Sequence, residues 1–188
     1  MSLFEYSVLA TASLADVFLT DGNRVSLLVH GFDPKWTFPG YGRPHKKRIE
    51  QALIHAKTEE SGLFENMDHL PIRRFPARSQ IVMVNPLLNN DAPIFKRLKK
   101  YGFSILVISP DPIDFEKKMI AGFDQFGILE EIHLATRIAS FERKLRIKKI
   151  SKMGIPIVNW RVGASLDNAI HSTMGRFLFP SHYTRLES

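Results

Sequence analysis

Gln80-Ile81-Val82-Met83-Val84-Asn85-Pro86 and Phe103-Ser104-Ile105-Leu106-Val107-Ile108-Ser109-Pro110 are two short apolar runs, and between them lies the amphipathic segment Ala92–Tyr101. Apolar runs of this length, bounded by turn residues, belong to strands covered on both faces, which occur chiefly in parallel sheets. Ala92–Tyr101 carries helical spacing and stops at Gly102. Strand, helix and strand make a βαβ unit, which closes through a right-handed crossover.

On the C-terminal side, Pro112 opens a helical tract that runs to Met153, with a break expected near Gly122 or Gly127. Ile128, Ile132, Ala135, Ile138 and Leu145 are its expected buried stripe, and Gly154 ends it. Ile155–Trp160 reads as a third buried strand, and Ser165 as the N-cap of a last helix through Met174. On the N-terminal side, Thr58–Arg78 has no clear period and reads as a long connection. Before it come a helix from Pro44 to about Lys57, a β-rich run Arg24–His30 with Lys35–Phe38 as hairpin partner, and a first helix Glu5–Leu19 closed by Asp21-Gly22-Asn23. The expected fold class is α/β: a three-layer αβα domain with a mostly parallel open sheet, spanning 1–188 as a single unit.

The 188 residues, 44% hydrophobic and 24% charged, suffice for one substantial core and are short for two. With no cysteine, a disulfide framework and a thiolate zinc site are both excluded. The apolar runs Ile81–Val84 and Ser104–Ser109 fall far below the roughly 18–20 residues that cross a bilayer. Met1–Glu5 has none of the features of a secretory leader. No membrane span is therefore expected, and the cytoplasm is the expected location.

A formal charge of +7 suits nucleic acid, anionic lipid or an acidic protein surface. The excess concentrates in Arg43–Arg48, Lys96–Lys100 and Arg143–Lys152, and charge runs on helices are ordinarily solvated faces. Arg143, Arg146, Lys148 and Lys149 form the best basic patch. The aromatic residues are not interleaved with these clusters, which argues against a single-strand nucleic-acid platform.

No nucleophile elbow, phosphate loop, Gly-x-Gly-x-x-Gly or His-Glu-x-x-His occurs, and the seven histidines lack metal-ligand spacing. No catalytic residue, cofactor or metal ligand is assigned. In parallel sheets the strand C-termini and following loops form the usual site. That rule selects Asp33, Asn85, Asp91, Ser109, Asp111 and Trp160 as the candidate interaction surface. Ser109 and Asp111 suit helix capping equally well, and Trp160 suits either an anchor or the core.

Several blocks resemble one family. Ala12-Ser13-Leu14-Ala15-Asp16-Val17-Phe18-Leu19, Gly22-Asn23-Arg24-Val25-Ser26-Leu27 and Pro39-Gly40-Tyr41-Gly42-Arg43 with Arg48-Ile49 are similar, in order and spacing, to domain of unknown function 58. The core of that family is a von Willebrand factor A-like domain. Phe75–Ser79 leading into Ile81–Leu88, and Gly154–Trp160, resemble its later strands in the archaeal branch. The resemblance covers the chain from Glu5 to about Met174. It implies a preceding central strand ending in Asp-x-Ser-x-Ser, whose oxygens ligate a divalent cation. This chain starts too late to hold that motif, and Thr37 with Asp91 would be a poor cage for a hard cation.

The implied neighbours of the absent strand, Arg24–Val29 and Ile81–Val84, are then expected to pair directly, to pair with another copy, or to be completed by residues of a longer protein. The resemblance further implies a non-enzymatic protein-interaction module that works beside MoxR-type AAA ATPases or their clients in protein assembly or remodelling. Two other readings stand beside it: a basic nucleic-acid-binding domain, and an enzyme acting on a phosphorylated small molecule.

Overall fold

The computed structural model describes residues 2–30, 34–56, 70–87, 91–120, 129–161 and 163–174. Contacts divide the chain into two compact units, Met1–Pro76 and Ala77–Ser188.

The first unit opens with α1 (Leu3–Thr20). This helix starts two residues earlier than the expected Glu5 because Ser2 and Glu5 form a reciprocal capping box: Glu5 N–H donates to Ser2 Oγ at 3.1 Å and Ser2 N–H to Glu5 Oε2 at 2.5 Å. The hairpin β1 (Val25–Val29) and β2 (Lys35–Gly40) follows as an antiparallel pair, with a register shift between Val25 and Leu27. Then comes α2 (Gly42–Ile54). Ala15 and Leu19 of α1 bury against Ile49 and Leu53 of α2, and Val25, Leu27 and Val29 of β1 pack on that cluster. The Lys46–Asp16 ion pair, 2.6 Å long, spans the two helices but is half exposed and adds little beside the apolar contact.

Among the described helices, α1 alone is long and apolar enough to cross a membrane, with a mean hydropathy of 1.3 over 18 residues. Ser7, Thr11 and Ser13 interrupt its apolar run. The Ser7 and Thr11 hydroxyls donate to carbonyls one turn back, at 3.0 and 2.7 Å.

His45 is 3% exposed. Its Nε2 lies 2.7 Å from the Val25 carbonyl oxygen, tying α2 to β1, and its ring covers Gly40 at the end of β2. A side chain at position 40 would place Cβ 2.5 Å from His45 Nδ1.

The second unit contains β3 (Gln80–Val84), α3 (Ala92–Lys100), β4 (Ser104–Pro110), α4 (Pro112–Ile120), α5 (Leu129–Ser151), β5 (Ile157–Trp160) and α6 (Leu166–Met174). The three strands are all parallel in the order β3-β4-β5, so the expected βαβ rhythm and a mixed α/β fold with a helix-flanked parallel sheet are found. The strand β4 is central and buried from Ile105 to Pro110. It runs two residues beyond its apolar run because Ser109 and Pro110 pair with Asn159 and Trp160. Gly102, at φ +80°, closes α3 with Phe103 N–H donating to the Leu98 carbonyl at 3.2 Å and Gly102 N–H to that of Lys99 at 2.9 Å. Leu98 and Phe103 are both buried over that turn.

The long helical tract differs from its expected packing. Its expected break near Gly122 or Gly127 lies outside the described residues, as does Ile128. Of the expected buried stripe, Ala135 is exposed and Ile138 and Leu145 are half exposed. The face turned inward carries Thr136, Ala139, Ser140, Arg143, Ile147 and Ile150 instead. Apolar period identified the helix and mistook its inward face, because that face mixes the apolar Ile147 and Ile150 with the polar Thr136, Ser140 and Arg143.

Gly40→Ala forces the fixed His45 ring to move. The expected loss is about 1–3 kcal/mol of unfolding free energy, as for other overpacked sites, and urea denaturation measures it.

Candidate functional site

Parallel strands present their C-terminal carbonyls at one edge, and here β3, β4 and β5 all end around a single side chain, Arg143 of α5. It is 3% exposed. Its Nη1 donates to the Pro86 carbonyl at 2.5 Å, just past β3. Its Nη2 is shared among Asn159 Oδ1 at 2.8 Å, Ser109 Oγ at 3.0 Å, and the Pro110 and Ser109 carbonyls at 3.3 and 3.4 Å. Nε lies 3.5 Å from Asp111 Oδ1. Burial lowers the Arg143 pKa, Asp111 opposes that shift and Arg146 adds to it. A guanidinium remains charged even so.

The residues expected at the strand ends are therefore brought together, but as walls of a filled polar pocket. Asp111 Oδ1 accepts from Ile113 N–H at 3.0 Å and Asp114 N–H at 3.4 Å, starting α4 while facing Arg143. Asn85 Oδ1 accepts from Leu87 N–H at 2.7 Å and holds that residue at φ +56°. Ser109 is fully buried, and Trp160 is buried with its indole N–H on the Ala164 carbonyl at 2.8 Å. Ser165 Oγ accepts from Asn168 N–H at 3.4 Å, as an N-cap does. Asp33 lies outside the described residues.

Asp91 precedes α3, 7% exposed, with Oδ2 buried and lacking a hydrogen bond. Burial holds its carboxyl up at about 6, against the opposing pull of Arg146. Among the described residues no three His, Asp or Glu side chains converge as a metal site would require.

Of the expected basic patch, Arg143 is withdrawn into this pocket. Arg146 is one-third exposed and within 3.8 Å of Glu142, and Lys148 and Lys149 are exposed. The patch thus loses its first member, while Lys148 and Lys149 keep their exposure.

The opposite face of α5 carries Leu134, Ile138, Phe141 and Leu145, each between 50% and 63% exposed. Spaced four, three and four residues apart, they form one apolar stripe along the helix. Arg137 and Lys144 border it, and with His133, Leu134, Ile138 and Phe141 they line a shallow surface groove. The sequence places Arg143 in a solvated basic patch and Ile138 and Leu145 in a buried stripe; the structure buries the first and exposes the other two. Asn159 and Ser109, polar side chains in otherwise apolar strands, were the available signal that a buried donor must meet them.

Comparison of the chain with models of known protein families, with curated proteins and with solved structures finds no match.

Replacing Arg143 with Met removes the donors to five oxygens at once and takes away the cation that faces Asp111. Unfolding free energy should fall by about 3 kcal/mol or more, and Arg143→Lys should recover only a minor part because an ammonium cannot span the fork. A loss below about 1 kcal/mol in urea titrations would contradict the bonding described.

Asp91 gives a pH signature. Its folded pKa lies above the ordinary 3.8, so the folded state holds the proton more tightly. The resulting stabilisation is full below pH 4 and is lost as pH rises through about 6. Relative to Asp91→Asn, the wild type should lose up to about 3 kcal/mol between pH 4 and pH 7, at roughly 1.4 kcal/mol for each tenfold difference in proton affinity. Parallel urea titrations of the two proteins across that range provide the measurement.

Proposed function

We propose that the chain is a non-enzymatic protein-interaction module whose contact face is the apolar stripe of α5. The half-exposure of Leu134, Ile138, Phe141 and Leu145 on one helix face carries the proposal. Burying a side chain of this size gains about 1.5–3 kcal/mol when complete, and contiguous apolar patches on soluble proteins mark contact sites. The strand-end loops, the expected contact surface, are filled by the Arg143 guanidinium and its partners. The contact is accordingly assigned to α5.

The fold proposed is the three-layer, von Willebrand factor A-like arrangement, supported by the consecutive parallel order β3-β4-β5 and the intervening helices. The resemblance to domain of unknown function 58 supplies the biological setting: assembly or remodelling of other proteins beside a MoxR-type AAA ATPase, on the cytoplasmic side.

A photoreactive amino acid placed at Ile138 in the cell should yield a protein adduct, whereas the same probe at the exposed Lys96 of α3 should not. Absence of any protein adduct at position 138 would remove the basis for the reading.

A further inference from the structure

We infer that the partner seated on the α5 stripe is a second copy of this chain, paired through a parallel two-stranded coiled coil centred on Ile138 and Phe141. The inference rests on the contact face proposed above and adds the identity of its occupant.

The spacing assigns Ile138 and Leu145 to the a positions of a heptad and Leu134 and Phe141 to the d positions. Arg143 then takes the f position, the one furthest from the seam in a two-stranded coil, and it is this side that α5 turns into its own unit. The helix can therefore pair along its free side without surrendering any inward contact. A β-branched residue at a, as at Ile138, favours two strands.

The flanking charges choose the direction. Arg137 holds a g position and Glu142 the e position five residues later. A parallel, in-register pair brings Arg137 of each copy against Glu142 of the other, twice by symmetry. An antiparallel pair that layers Ile138 on Phe141 would set Arg137 against Lys144 instead. Glu142 is free to exchange partners, since its present link to Arg146, at 3.8 Å, is an exposed pair of small value. The seam is short: Lys148 occupies the next d position, and Lys144 would face Lys149 of the second copy. Two heptads of apolar contact make a reversible dimer that closes on itself and does not extend into a fibre.

Sedimentation of the full chain from low micromolar to several hundred micromolar should show a monomer–dimer equilibrium. Ile138→Glu with Leu145→Glu should leave only monomer, with unchanged far-UV circular dichroism and unfolding midpoint because both positions are exposed. Arg137→Glu should weaken association several-fold, and adding Glu142→Arg should restore it. The chain has no cysteine, so Leu134→Cys offers an unambiguous probe of direction. A parallel pair places the two thiols opposite each other, and an added disulfide oxidant such as oxidised glutathione, itself reduced to the thiol, converts them to a disulfide-linked dimer, whereas an antiparallel pair does not crosslink.

Wild-type monomer at every concentration, dimer indifferent to the Ile138 and Leu145 changes, or no crosslink through position 134 would each overturn the inference. The photo-adduct at Ile138 separates the two levels. An adduct to a different protein, from a chain that stays monomeric, overturns self-pairing and leaves the interaction reading intact. An adduct only to residues 175–188 of the same chain, or no adduct, removes both.

Discussion

Five oxygens from β4, β5 and the residue Pro86 just past β3 converge on one guanidinium, and the packing of the second unit depends on that convergence. The carbonyl ends of parallel strands form a row of acceptors that the ladder cannot satisfy beyond its last pair. Buried without donors, each such group would cost about 1–3 kcal/mol. Arg143 meets the requirement from the side, as a planar fork with five donors and a positive charge that Asp111 balances. Desolvation opposes this arrangement and the hydrogen bonds offset it, with Ser109 Oγ and Asn159 Oδ1 both accepting from the guanidinium.

The same convergence explains which parts of the fold were legible in the sequence. Strands β3, β4 and β5 were readable because continuous apolar runs have few alternatives, and α3 because its period agrees with a glycine stop. The early hairpin was readable from β-rich runs on either side of a glycine. The inward face of α5 was not. Apolar period locates a helix face only when the inward residues are themselves apolar, and the inward face of α5 combines Arg143 and the small Ala139 and Ser140 with only two isoleucines, Ile147 and Ile150. The strand-end residues Asn85, Ser109, Asp111 and Trp160 were located correctly in the topology, but their exposure was not knowable without the arginine that fills the space between them.

The two units use histidine and arginine in related ways. In the first, one buried imidazole joins α2 to the Val25 carbonyl and roofs a glycine; in the second, one buried guanidinium joins α5 to the sheet. Each replaces apolar contact where backbone oxygens crowd a helix. Each also makes a local charge pattern misleading, since Arg43–Arg48 and Arg143–Lys152 look like continuous wet faces and contain an inward member at one helical position.

Because α5 is stitched to the sheet along one side only, its outward residues are released from any duty toward folding. Substitutions there would leave the domain's architecture untouched, with the inward arginine holding the scaffold constant throughout.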